Sequence, residues 1–80
     1  MTKEELTLEI QSIAREVFQK SELVVTETMG AADVDTWTSL SFTQFISAIE
    51  QKYAFKFKLI ELLQLRTIGA VIDATLKHIA

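Results

Sequence analysis

Ser39 is the residue whose type and position best suit chemistry on a group brought to the protein from outside. It lies in residues 35–40, DTWTSL, after a stretch without periodicity and directly before a predicted helix. The free amide groups and the positive end of the helix dipole at such a position favour a phosphate group. Serine is also a favoured helix N-cap, and Thr36, Thr38 and Ser41 compete for that structural role.

The groups that a catalytic serine would need are missing from the sequence. The chain has no cysteine, which excludes disulfides, thiolate metal sites and a cysteine nucleophile. Its one histidine, His78, lies close to the C-terminus, where we expect a frayed helix end. No activating base accompanies Ser39, and the sequence has no glycine-rich loop. We therefore expect no catalytic residues, no metal site and no enzyme activity.

Length and composition predict one small helical domain over residues 1–80. The hydrophobic fraction of 49% is ample for a core, and the absence of proline with only two glycines disfavours a fold rich in turns. The longest apolar runs are far shorter than the roughly 20 residues that span a bilayer. The N-terminus MTKEEL is charged and has no apolar segment, so we expect no signal peptide and a cytoplasmic location.

The net charge of −3 is unevenly distributed along the chain. Residues 1–35 hold eight acidic and three basic residues, whereas residues 36–80 hold three acidic and five basic ones. No basic residue lies between Lys20 and Lys52, where a nucleic-acid reader would need a basic face. The lysines at 52, 56 and 58 are too few to indicate nucleic-acid or membrane binding.

The first part of the chain predicts a helix followed by a long loop. A capping box, Thr2 with Glu5, starts a helix over about residues 3–19. Its apolar stripe consists of Leu6, Ile10, Ile13 and Val17, with Ala14 beside them. Residues 20–38 lose this period and predict a loop. Isolated apolar residues are expected to hold the loop on the core: Leu23, Val24, Val25, Met29, Val34 and Trp37.

The second part predicts three more helices. The second begins at Ser39 and ends near Tyr53, with one apolar stripe of Phe42, Phe45, Ile46, Ile49 and Tyr53. Residues 52–58, KYAFKFK, predict an extended connector, and residues 59–65 a short third helix. Thr67 suits the N-cap of the last helix. The prediction is an all-α four-helix bundle with three longer helices, a short third helix and a long first loop.

The segment around Ser39 resembles the attachment motif of acyl carrier proteins, which is usually Asp-Ser-Leu. The family places a small residue, an acid and an aromatic residue nine, eleven and fourteen positions after the serine, and the chain has Ala48, Glu50 and Tyr53 there. Residues 62–76, LLQLRTIGAVIDATL, are similar to the family's start of the last helix. The resemblance covers roughly residues 5–79 and includes the helix order.

The resemblance implies that a phosphopantetheinyl transferase joins 4′-phosphopantetheine from coenzyme A to Ser39. The thiol of that arm would carry acyl groups as thioesters, so a carrier without cysteine is no contradiction. The implied partners are the transferase and acyl-loading and acyl-processing enzymes, met by a monomer. Fatty-acid, polyketide and amino-acyl carriers share this bundle and this serine, so the cargo stays open. The nearly neutral second helix and the sequence Trp-Thr-Ser-Leu favour a specialised pathway of fatty-acid or polyketide type.

Two positions depart from the pattern of fatty-acid carriers. Thr38 precedes the serine where the family usually has an aspartate that helps to engage the transferase, although some polyketide-type carriers have threonine there. The second helix has one acid, Glu50, and one base, Lys52, where such carriers show an acidic face. We expect docking to depend on shape more than on charge. The residues expected to take part are Leu40, Thr43, Gln44, Ser47, Thr38 and Asp35.

Other interpretations of the sequence stay open at this point. The chain could be a carrier-like helical interaction module that is never modified, and Thr38 favours this alternative. A small DNA-binding domain could read bases through the second helix, but the lack of basic residues argues against it. We expect Trp37 to pack the loop onto the bundle. The aromatic residues Phe42, Phe45 and Tyr53 are expected in the core, where they would also touch an acyl chain.

Overall fold

The computed structural model describes all residues, 1–80, and has the predicted four-helix, all-α architecture. The helices are α1 (Lys3–Val17), α2 (Ser39–Tyr53), α3 (Leu59–Leu62) and α4 (Ile68–Ile79), and a single 3₁₀ turn (Ala31–Asp33) lies in the first loop. The one strand-like feature is an isolated bridge between Gly30 and Thr67. None of the helices is both long and apolar enough to cross a membrane.

The predicted capping box starts α1, but the helix ends two residues earlier than expected. Thr2 Oγ1 accepts a hydrogen bond from the Glu5 amide, and the Glu5 carboxylate accepts one from the Thr2 amide. At the other end Gln19 adopts a positive φ of 56°, which helical residues do not have. The Lys20 amide then bonds back to the Arg15 carbonyl at 2.9 Å, a Schellman-type ending. Residues 18 and 19 therefore belong to the loop.

The core forms where α1 packs against both α2 and α4. Leu6, Ile10 and Ala14 of α1 are fully buried, as is Phe18 directly after the helix, whereas Ile13 and Val17 are half-buried. The other helices contribute mainly aliphatic residues and one phenylalanine: Phe45, Ile46, Ile49, Ile68, Val71 and Ile72. The predicted residues Leu6, Ile10 and Ala14 are in the core, and Ile13 and Val17 pack against it. Phe18 is a core residue that the prediction missed.

The first loop is held on the bundle by buried side chains and by hydrogen bonds. Val25 and Val34 are buried, but Val24 is exposed, so the expectation for Val24 was wrong. The side chain of Gln11 on α1 accepts a hydrogen bond from the Val25 amide at 3.0 Å. Toward α4, the amide of Gly69 donates to the carbonyl of Glu27 at 3.0 Å. The loop is thus hydrogen-bonded to both α1 and α4.

The segment between α2 and α4 is extended, short-helical and extended again. The predicted connector is correct for residues 55–58, which have no regular structure and include the buried Phe57. It was predicted to begin too early, because Lys52 and Tyr53 belong to α2 and Ala54 is its C-cap. The third helix was predicted too long: it ends at Leu62, and residues 63–66 turn toward α4 with Leu65 buried. His78 lies inside α4 and stacks on Phe55, with ring centroids 4.5 Å apart. It is not at a frayed end.

Candidate functional site

Ser39 is the first residue of α2, and the cap of that helix is formed by its neighbours. Thr38 is the N-cap, and its hydroxyl accepts a hydrogen bond from the Ser41 amide at 3.1 Å. The Ser41 hydroxyl accepts one from the Thr38 amide at 2.8 Å, which completes a reciprocal capping box. Ser39 is exposed and stands outside this arrangement. Of the competing cap residues, Thr38 therefore takes the role.

The residues before Ser39 are fixed to the end of α1 by two contacts. The Thr36 hydroxyl donates a hydrogen bond to the Phe18 carbonyl at 2.6 Å. The Asp35 carboxylate pairs with the Lys20 ammonium group at 2.7 Å, and this hydrogen bond holds the pKa of Asp35 below its usual range. Both contacts bring the last residues of the loop back to the point where the loop began.

Trp37 packs the loop onto the bundle, as expected. Its ring lies between two phenylalanine rings, with centroids 5.1 Å from Phe18 and 5.6 Å from Phe42. Both pairs are close to parallel, at 14° and 7°. Stacked aromatic pairs at these separations add to the stabilisation from burial alone. The stack orients the chain directly before Thr38 and Ser39.

The six residues predicted to meet partners fall into two groups. Leu40 is 69% exposed, and Thr43 and Gln44 are also exposed on α2 beyond it. The Thr43 hydroxyl donates to the Ser39 carbonyl at 2.8 Å, so Thr43 lies one helical turn from the attachment candidate. Ser47 is half-buried farther along α2. Thr38 and Asp35 precede Ser39 and have the structural roles described above.

A groove of about 420 Å³ runs between α2 and α3 and begins one turn from Ser39. Its lining is mixed, with three apolar and three polar residues: Phe42, Ile46, Leu62, Thr43, Ser47 and Glu50. Leu62 was not predicted to belong to a site. The available signal was the run LIELL, which is more apolar than a short surface helix requires.

The acid of α2 is used within the fold. The Glu50 carboxylate accepts a hydrogen bond from the Phe57 amide at 2.8 Å, and thereby ties the connector to α2. Lys52 lies 4.0 Å from Glu9 of α1. Tyr53 also donates its hydroxyl proton to the Glu9 carboxylate, and burial together with this bond raises the pKa of Tyr53. Both charged residues of α2 thus lie in its last turn, and the polar side chains nearer to Ser39, such as Thr43 and Gln44, are uncharged.

Comparison with known proteins agrees with this geometry. A family model described as the phosphopantetheine attachment site matches residues 9–75. The solution NMR structure of a holo acyl carrier protein from Geobacter metallireducens is 38% identical, with a TM-score of 0.82. The match covers 89% of this chain and 83% of that one. No curated protein sequence matches the chain. The chain belongs to the phosphopantetheine-attachment family of acyl carrier proteins, in which the group is carried covalently and the carrier itself is not an enzyme.

Proposed function

We propose that Ser39 bears the 4′-phosphopantetheine arm and presents acyl groups on it to other enzymes. The observation that carries this proposal is the place of Ser39 at the first position of α2, exposed and outside the cap formed by Thr38 and Ser41. A phosphodiester at this hydroxyl would displace no hydrogen bond of the capping box. A transferase could therefore modify Ser39 in the folded protein.

The surroundings of Ser39 fit a phosphate group chemically. The amides of Ser41 and Phe42 are bonded to Thr38 within the cap. The amides of Ser39 and Leu40 precede them, and the first amides of a helix have no partner within it. These donors and the helix dipole favour a negative charge at this end of α2. When bound, the arm supplies the thiol that a chain without cysteine lacks.

Thr38 fits the same proposal although the family usually has aspartate before the serine. Aspartate and threonine are both good N-caps, so the replacement preserves the start of α2. What the replacement removes is one negative charge beside Ser39. We therefore assign the effect of Thr38 to the choice of transferase and not to folding.

We further propose that the groove between α2 and α3 shelters the acyl chain. Phe42, Ile46 and Leu62 line it, and it starts near enough to Ser39 for an arm attached there to reach it. Of the three aromatic residues expected to touch cargo, Phe42 alone lines this groove. Phe45 is fully buried, and the Tyr53 hydroxyl donates a hydrogen bond to Glu9 of α1.

For partner docking we propose a surface centred on Leu40, with Thr43, Gln44 and Ser47 along α2. Leu40 is exposed and lies directly beside the proposed attachment site, where a transferase and acyl-processing enzymes must approach. Because the nearby polar side chains are uncharged, electrostatic steering along α2 would be weak. Thr38 and Asp35 would lie at the edge of this surface.

The uncharged face of α2 and the Thr38 replacement together support a specialised pathway of fatty-acid or polyketide type. We also propose that residues 1–80 act as one carrier domain, in the cytoplasm and as a monomer with transient partners. The fourteen buried apolar residues form one hydrophobic cluster, which supports a single unit.

The intact mass after incubation with coenzyme A and a broad-specificity phosphopantetheinyl transferase tests the proposal. We expect a gain of one phosphopantetheine per chain, absent in Ser39→Ala and retained in Ser21→Ala, an exposed loop serine. Unchanged mass with several transferases, for both the natural chain and Thr38→Asp, would contradict the proposal. That result would favour an unmodified interaction module.

A further inference from the structure

The short helix α3 and the residue that follows it expose three aliphatic side chains close together. Leu59 is 75% exposed, and Ile60 and Leu63 are each 67% exposed. Single exposed aliphatic residues are common on protein surfaces, but neighbouring ones mark contact sites. We call Leu59, Ile60 and Leu63 the α3 patch.

Basic residues lie beside the α3 patch. Lys56 and Lys58 lie in the connector immediately before it, Lys77 lies on α4, and all three side chains are exposed. Lys58 and Lys77 line one shallow depression of about 360 Å³ together with Ile60. None of these lysines forms an ion pair with a carboxylate of the chain. We call Lys56, Lys58 and Lys77 the basic rim.

The acidic residues of this half of the chain are already engaged inside the fold. Glu50 accepts the Phe57 amide. Glu61 accepts the Lys58 amide and contacts His78. Asp73 pairs with Lys3 at 3.2 Å, on the side of α4 that meets α1. Only Glu61 borders the depression, so the basic rim keeps a net positive charge.

We propose that the α3 patch and its basic rim dock a partner protein whose contact surface is apolar at its centre and acidic at its edge. Protein interfaces have an apolar core and a polar rim, and charges of opposite sign across the rim raise the association rate. This polarity is the reverse of an acidic carrier that meets basic enzymes. The α3 patch and the surface around Leu40 would then both contribute to partner specificity.

The position of the patch indicates what kind of partner would use it. Leu62, within α3, lines the groove that continues to Phe42 and Thr43 near Ser39. A protein seated on α3 would thus cover the groove and reach an arm on Ser39. This part of the inference rests on the proposed function; the chemistry of the patch does not.

A protein surface suits the patch better than a lipid surface. An amphipathic helix binds a lipid surface with a strength that increases with its buried apolar area and its attraction to anionic lipids. The α3 helix has four residues, and its rim has three lysines.

An NMR titration of the full, unmodified chain tests the proposal. The probe is a helical peptide with a leucine and phenylalanine face flanked by glutamates, compared with the same peptide carrying lysines. We expect the glutamate peptide to shift the amide signals of residues 56–63 and 77. Lys58→Glu with Lys77→Glu should weaken its binding roughly tenfold, since two attractive charges become repulsive. Ile60→Ser should also weaken it.

The matched control is Leu8→Ser, because Leu8 of α1 is 63% exposed and lies on another element. Equal binding of both peptides, no binding of either, or equal loss in Leu8→Ser would overturn the proposal. The protein could instead sediment with phosphatidylglycerol vesicles, lose this binding in Lys58→Glu with Lys77→Glu, and bind neither peptide. That result would assign the patch to a membrane and would also overturn the proposal. The peptide titration does not involve Ser39, so its failure is distinct from a failure of the mass test.

Discussion

The Nε2 atom of His78 lies 2.9 Å from Oε2 of Glu61, and this contact joins the last turn of α4 to α3. The other oxygen of Glu61 accepts a hydrogen bond from the Lys58 amide at 2.7 Å, at the start of α3. The His78 ring also stacks on Phe55 in the connector. One carboxylate thus caps the short helix and fastens it to the bundle.

The position of Glu61 predicts a pH-dependent stability. The Lys58 amide, and after it His78, lower the pKa of the Glu61 carboxyl in the folded protein. An acid with a lowered folded pKa stabilises fully above its unfolded pKa, and this contribution is lost as the pH falls through the folded value. We expect Glu61→Gln to unfold at lower urea than the natural chain at neutral pH. The difference should shrink below the ordinary glutamate pKa of about 4.3.

Urea unfolding followed by circular dichroism over a pH series measures this difference. Glu22→Gln is the control, since Glu22 is an exposed loop carboxylate without an ion pair. A Glu61→Gln difference that stays constant from neutral to acidic pH would show that this carboxylate does not act in the way described.

The approach of Gly69 to the first loop predicts a loss of stability on adding one methyl group. A Cβ at position 69 would lie 2.7 Å from the Glu27 carbonyl oxygen, which is rigid backbone. Alanine normally favours a helix over glycine by roughly 0.5–1 kcal/mol. We nevertheless expect Gly69→Ala to destabilise the protein by about 1–3 kcal/mol, because the loop must shift. Thermal unfolding measures the sign directly.

The control for helix propensity is Ser12→Ala, at an exposed position of α1. This variant gains an alanine in a helix without a close backbone neighbour. If Gly69→Ala were as stable as the natural chain or more so, the result would contradict the close approach of the Glu27 carbonyl to position 69.

Thr38 has a structural role in the cap of α2 and a proposed role in recognition by the transferase, and two variants separate these roles. Thr38→Ala removes the hydroxyl that accepts the Ser41 amide, and we expect a loss of about 0.5–2 kcal/mol in unfolding free energy. Thr38→Asp keeps an N-cap acceptor and should retain most of the stability. It should also be modified faster by a transferase that prefers aspartate before the serine.

Urea unfolding and a time course of intact mass separate these two effects. Thr36→Ser serves as the control, because it retains the hydroxyl that bonds to Phe18 and leaves the cap of α2 intact. Equal stability of all the Thr38 variants would show that the capping box contributes nothing.

The groove predicts which signals respond to cargo. On comparing holo protein with its acyl form, we expect the side-chain NMR signals of Phe42, Ile46 and Leu62 to shift, since these residues line the groove. Leu8 and Val24 are exposed on other elements and should not shift. Larger changes at Tyr53 than at Leu62 would place the acyl chain toward α1 and contradict the proposed location.

The sequence was sufficient to predict the helix order, the capping box of α1, the start of α2 and residues 55–58 of the connector. These features depend on local patterns, in which caps and apolar spacing act over three or four residues. The buried stripe of α1 was less predictable, because α1 packs on two helices and its buried face is wider than one row. Phe18 comes four residues after Ala14 on the same row. It was missed because the neighbouring Val17 also fits the apolar spacing.

Two other features depend on contacts that periodicity does not reveal. α3 is one turn long, so LIELLQL could not indicate where it ends. His78 is held by Glu61 and Phe55, which precede it by 17 and 23 residues, and its position near the C-terminus suggested the wrong surroundings. At the candidate site, the residues were identified from the motif, whereas the division of roles between Thr38 and Ser39 required the geometry.

The capping box of α2 has a consequence for the life cycle of the protein. Thr38 and Ser41 satisfy one another, so the cap of α2 forms whatever the Ser39 hydroxyl bears. If Ser39 carries the arm, the freshly synthesised chain would already be folded before it is modified, and removal of the arm by hydrolysis would leave it folded. One polypeptide could then be converted repeatedly between the two forms, and the supply of working carrier would be set by the modifying enzymes instead of by new synthesis.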